Sequence, residues 1–138
     1  PVHSSVRCTL LAYTLGASNP ACTRSLIKDC MSEVDPNILS FHFHDTRASA
    51  LANVYAALTE VIRKFDSCIG GLGGCPFAPG AAGNLATEDV ANMLHQMGYE
   101  TNIDLNKLSE IVLSLEEQLH APLGGRMSAW LSKKNKAS

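Results

Sequence analysis

The spacing of apolar residues changes along this chain, and the changes divide it into elements. Val6 to Ala12 is an apolar run of strand length, followed by Gly16, Ser18, Asn19 and Pro20, which read as a loop. Asn19 is suited to cap a helix that begins at Pro20. That helix is expected to reach about Glu33, with Leu26, Ile27, Cys30 and Met31 as its apolar stripe. Asp35-Pro36-Asn37 reads as a turn, and Ile38 to His44 as a second strand. Arg47 to about Lys64 is expected to be helical, since Leu51, Val54, Tyr55, Leu58, Val61 and Ile62 recur at helical spacing. Phe65 to Ile69 reads as a third strand and Gly70 to Asn84 as a glycine-rich loop. Thr87 is placed to cap the next helix, with Glu88 and Asp89 in its first turn and Gly98 as its stop. Asp104 is placed to cap a last long helix ending near Leu119.

Strands that alternate with helices imply a parallel sheet joined by crossovers. Three parallel strands are few, because such sheets are normally covered on both faces and continue or close into a barrel. The expected fold class is therefore α/β, with the chain forming part of a larger (β/α) unit. Residues 1–132 are expected to be one partial domain and 133–138 a basic flexible tail.

Composition narrows the function classes. The 138 residues are 46% hydrophobic and 17% charged with a formal net charge of -2, which gives no argument for a nucleic-acid or membrane partner. No apolar run approaches the roughly 20 residues of a membrane helix. Pro1-Val2-His3-Ser4-Ser5 lacks the basic segment and apolar core of a signal peptide. Five cysteines without a C-x-x-C pair suggest free thiols in a reducing compartment, with Cys8, Cys22, Cys30 and Cys68 as small buried residues. The expected location is the cytoplasm, or the mitochondrial matrix in a eukaryote.

Active faces in such folds lie at the C-terminal ends of the strands, where the unusual residues of this chain fall. Tyr13-Thr14 follows the first strand, His42 and His44 close the second, and the glycine loop follows the third. Strand alternation aims His42 and His44 at one face, about 6.6 Å apart at ~3.3 Å per residue. Two imidazoles at that spacing reach one cation through bonds of about 2.1 Å, or else are hydrogen-bonded polar residues inside a strand. Asn84 offers a neutral oxygen, and such a donor set suits Mg, Mn or Zn. Asp45 either supports an imidazole or caps the following helix, and Arg47 either binds an anionic group or is solvated. Cys75 lies in a loop whose glycines, Gly73, Gly74, Gly80 and Gly83 among them, permit a closing flap and an acid–base thiol. His3, His95 and His120 are scattered and read as surface or satisfied residues.

Several stretches together resemble the 3-hydroxy-3-methylglutaryl-CoA lyases: His42-Phe43-His44-Asp45-Thr46-Arg47, Phe65-Asp66-Ser67, Gly70 through Asn84 and Ala86-Thr87-Glu88-Asp89. The likeness runs from about Leu11 to about Leu119. It implies the C-terminal part of a (β/α)8 TIM barrel that cleaves hydroxymethylglutaryl-CoA to acetyl-CoA and acetoacetate. It further implies Mg or Mn as cofactor with Zn the lesser alternative, an acyl-CoA substrate, and a homodimer among the assemblies the family allows. His42, His44 and Asn84 match the family's metal ligands, and Cys75 its catalytic cysteine. Asp45, Arg47 and Tyr13 fall at substrate-binding or supporting positions. The chain has no segment matching the Asp-Arg motif that opens the family's barrel, and Ala12-Tyr13-Thr14 stands where the family has Gly-Asp-Thr. Ala48 and Val61 stand where it usually has Gly, making the helix between them bulkier. A non-catalytic relative that keeps metal and CoA binding, and a Claisen-type synthase, are the alternative readings.

Overall fold

Strands β1 (Thr9–Tyr13), β2 (Leu39–Phe43) and β3 (Phe65–Asp66) lie in one parallel sheet in that order. The computed structural model describes residues 8–13, 16–74, 83–123 and 125–136, and of Tyr13 and residues 134–136 the backbone alone. Helix α1 (Pro20–Met31) crosses from β1 to β2, and α2 (Ala50–Thr59) from β2 to β3. Three further helices follow: α3 (Thr87–Gln96), α4 (Leu105–Leu119) and α5 (Arg126–Lys136). The expected parallel α/β architecture is present.

The core follows from the alternation of β2. Leu39, Phe41 and Phe43 are buried on one face with Ile27 of α1 and Val54, Ala57 and Leu58 of α2. The Phe41 and Phe43 rings stack 5.7 Å apart. Each fully buried side chain of this size contributes about 1.5–3 kcal/mol, so β2 anchors the sheet to its helices. The other face carries Ser40 and His42, in register with Leu10 and Ala12 of β1. It is open, and Leu10 is 51% exposed there. Parallel sheets normally have both faces covered, and among the described residues this face has no cover.

Local chemistry explains where the elements begin and end. Asn19 Oδ1 accepts from the Cys22 amide at 3.0 Å with Pro20 opening α1, and Asp104 Oδ1 accepts from the Asn106 and Lys107 amides at the start of α4. Several expectations are corrected. α1 stops at Met31 rather than Glu33; Thr23 and Ile27 are its buried residues, and Met31 is exposed. The Asp35 turn leads into a 3-10 helix, Pro36–Ile38. α2 spans only Ala50–Thr59, leaving Ala48 and Val61 outside it with φ of 55° and 67°, where L residues are strained. Tyr55 and Val61 face solvent. β3 ends at Asp66, and Ile69–Gly71 forms a 3-10 helix instead. Thr87 does not cap α3: Ala86 precedes the helix without a side-chain cap, and Thr87 Oγ1 is hydrogen-bonded to Ser67 Oγ at 2.9 Å. Cys8 and Cys22 are exposed and Cys30 and Cys68 half-buried, rather than all four buried; Cys22 lies in the solvent-facing first turn of α1. α5 has no counterpart among the expected elements, and it continues as helix to Lys136, through residues expected in a flexible tail.

Candidate metal centre

The site is assembled where β2 ends. His42 lies within the strand, and His44 just beyond it forms an antiparallel bridge with Asn84. Two backbone bonds hold that bridge: the Leu85 amide donates to Phe43 O at 3.0 Å, and the Asp45 amide to Gly83 O at 3.1 Å. A second bridge joins Cys68 to Ala86. Residues 83–86 therefore sit between the end of β2 and the segment after β3, and Asn84 is delivered beside His44.

The two imidazoles face one another edge-on with centroids 5.0 Å apart. His42 Nδ1 lies 2.9 Å from Asp66 Oδ1, a β3 residue in register with it. His44 is 4% exposed, and its Nδ1 is buried without a hydrogen-bond partner. Asn84 Oδ1 is likewise buried and unpartnered. Buried polar atoms are normally satisfied, so two unpartnered atoms in residues joined by a bridge are candidates to meet a cation. Burial, and then the neighbouring His42, push the His44 imidazole below its ordinary value, which favours the neutral ring that ligates a metal. Two imidazoles and an amide oxygen thus fit a divalent cation as part of its shell. Among the described residues no three His, Cys, Asp or Glu side chains converge, so further ligands have to come from elsewhere.

Asp45 Oδ1 accepts from the Ala50 amide at 2.9 Å, at the start of α2, where Ser49 is the residue preceding the helix. Arg47 is exposed in the turn before that helix. Tyr13 occupies the β1 position in register with Phe43, and its side chain lies outside the described residues. Cys75 and Gly80 also lie outside them. Gly73, Gly74 and Gly83 form the described roots of the loop. Gly73 has φ of 112°, and a Cβ there would come 2.6 Å from Asn84 Nδ2. A Cβ on Gly83 would collide with the Gly71 carbonyl oxygen. These glycines therefore allow backbone to close over Asn84. His95 is satisfied by Thr101 Oγ1 at 2.6 Å, as expected of a residue outside the site.

Three residues of the surroundings escaped the sequence reading as contributors. Asp66 and Cys68 reach the site only through the pairing of separate segments. Glu88, read as a helix-dipole residue, is 0% exposed: Gly70 N donates to its Oε2 at 3.0 Å and Ser128 Oγ to its Oε1 at 3.2 Å. An acid in the first turn of a helix, set among apolar residues, was the only signal.

The chain is similar to several known proteins. Hydroxymethylglutaryl-CoA lyase YngG of Bacillus subtilis is 46% identical over 116 residues, 84% of this chain and 39% of the relative. A crystal structure of the Bacillus subtilis HMG-CoA lyase superposes with a TM-score of 0.89 at 41% identity, covering 93% of this chain and 43% of that one. An HMG-CoA lyase from Acinetobacter baumannii, solved in complex with coenzyme A and 3-methylmalate, gives 0.84 at 40% identity over 89% of this chain and 40% of that one. The chain thus spans about two fifths of the lyases it matches, and its fold is part of their (β/α)8 barrel. No described helix is long and apolar enough to cross a membrane. With the HMGL-like family pattern matching residues 3–113, an interval that includes the His pair and Asn84, the chain belongs to the HMGL-like family.

Proposed function

We propose that this chain forms the C-terminal part of a divalent-metal-dependent carbon–carbon lyase that cleaves 3-hydroxy-3-methylglutaryl-CoA to acetyl-CoA and acetoacetate. The observation that carries the reading is the pair of unpartnered buried acceptors, His44 Nδ1 and Asn84 Oδ1, beside the His42 ring. His42, His44 and Asn84 would hold Mg or Mn, with a carboxylate from the strand that opens the family's barrel completing the protein ligands. Such a cation lowers the pKa of a chelated substrate hydroxyl and orients the substrate. The remaining work falls to the protein. Asp66 holds the His42 ring in place through its Nδ1. The glycine roots let backbone pass close to Asn84. Cys75 is assigned the proton shuttle: as a thiolate it would take the proton of the tertiary hydroxyl as the carbon–carbon bond breaks, and the thiol so formed would give that proton to the acetyl-CoA enolate. The coenzyme A bound by the Acinetobacter baumannii relative supports an acyl-CoA substrate. A cytoplasmic or mitochondrial-matrix location and a homodimeric assembly accompany this reading.

Assay of the full natural chain with Mn2+ should release acetyl-CoA and acetoacetate from hydroxymethylglutaryl-CoA, and absence of turnover refutes the reading. The 138 residues alone should be inactive, because the open sheet face leaves the metal shell incomplete. A second reading, a non-catalytic relative that keeps the metal and CoA surface, draws on Tyr13, whose phenol with pKa near 10 replaces a carboxylate. Tyr13→Asp in the full chain separates the two: a gain of orders of magnitude in kcat supports the second.

A further inference from the structure

Cys68 touches the site without joining its donor set. Its Sγ accepts a hydrogen bond from Asn84 Nδ2 at 3.0 Å, and Leu72 O accepts one from the same nitrogen at 2.8 Å. An amide nitrogen has two hydrogens to give, and both are engaged. The amide is thereby oriented, because a flip would set Oδ1 against the Leu72 carbonyl oxygen, which has no hydrogen to give, and would lose the Asn84 Nδ2 donor to Cys68 Sγ. Backbone fixes the thiol in turn. The Cys68 amide donates to Leu85 O at 3.0 Å and Cys68 O accepts from the Thr87 amide at 2.9 Å, so Cys68 is clamped to the segment that follows Asn84. The atom left over, Asn84 Oδ1, is buried and unpartnered, as is Nδ1 of the 4%-exposed His44. The thiol does not cluster with the two imidazoles as a third ligand, so its influence runs through Asn84.

We propose that Cys68 is a positioning residue: with the Leu72 carbonyl it holds the Asn84 amide so that its oxygen faces a bound divalent cation. The inference rests on the metal reading above and assigns how the neutral oxygen ligand of that site is oriented.

The test is Mn2+ affinity, followed by EPR titration of the full natural chain carrying Cys68→Val, Cys68→Ser or Asn84→Ala. Cys68→Val, which keeps the bulk and removes the acceptor, should weaken Mn2+ binding about ten-fold, while Cys68→Ser, which retains an acceptor, should stay within about three-fold. In the Asn84→Ala background Cys68→Val should have no further effect, a coupling that a role in packing alone would not produce. If Cys68→Val fails to fold, Cys68→Ala carries the same comparison. Wild-type protein that binds Mn2+ while Cys68→Val or Cys68→Ala binds it as tightly overturns the positioning role alone. Wild-type protein that binds no Mn2+ overturns the metal reading and this inference with it.

Discussion

Val61→Gly should leave the stability of this protein nearly unchanged, although it deletes three carbon atoms. Val61 follows α2 with φ of 67°, a left-handed conformation that a β-branched residue tolerates poorly. The hydrogen bonds show why the chain adopts it. The Ile62 amide donates to Ala57 O at 3.1 Å and the Val61 amide to Leu58 O at 3.2 Å, the paired bonds of a Schellman stop in which Gly is the favoured residue. Ile62 then packs into the core beside Ala57, so the turn cannot relax without losing buried apolar contact. The left-handed conformation costs an L residue about 1–2 kcal/mol, and Gly removes that cost. Against this, the extra freedom of Gly in the unfolded chain costs about 0.5–1 kcal/mol. Val61 is 53% exposed, so about half of a full Val burial, about 1 kcal/mol, is given up. The net expectation is a stability within about 1 kcal/mol of wild type, where the same change at an unstrained position would cost about 2 kcal/mol. Urea unfolding of the full natural chain, followed by far-UV circular dichroism, measures it, with Gly98→Ala (φ of 82° at the end of α3) as the reciprocal control that should lose stability. A Val61→Gly variant less stable than wild type by about 2 kcal/mol or more would refute the strain argument.

Other outcomes follow from the same structure. Glu88→Ala strips Gly70 N and Ser128 Oγ of a buried acceptor and should cost about 3 kcal/mol in unfolding free energy; a loss below about 1 kcal/mol would show that the carboxyl does not tie the loop root to α5. The metal-free protein should lose stability as pH falls below about 6.5, because burial keeps His44 neutral when folded while the unfolded chain takes up the proton; His44→Asn should flatten that part of the profile, and an unchanged profile contradicts it. Asp104→Ala removes a side chain that serves two amides and should cost about 1 kcal/mol, read from the unfolding midpoint.

The elements most legible in the sequence are those set by local chemistry. Asn19-Pro20 and Asp104 announce the starts of α1 and α4 because a cap acts within three residues, and the alternation of Leu39, Phe41 and Phe43 identifies β2. The bounds of α2 were overread because Ala48 and Val61 look compatible with a helix, while Asp45 and the Schellman bonds set its ends from outside. α5 went unseen because its start is held by a distant residue: Asp89 accepts from the Arg126 and Met127 amides. At the site, alternation sufficed to bring His42 and His44 together. The partners Asp66 and Cys68 depend on which segments pair, and that is decided by the whole sheet. The two glycine departures noticed in the sequence, at Ala48 and Val61, prove to be departures of backbone conformation rather than of helix packing.

Pulsed EPR of the full natural chain loaded with Mn2+ tests the central claim most directly. If His42 and His44 share one cation, the spectra will show nitrogen couplings from two imidazoles, and His44→Ala will remove one of them. Bound Mn2+ with no imidazole nitrogen coupling would contradict the account.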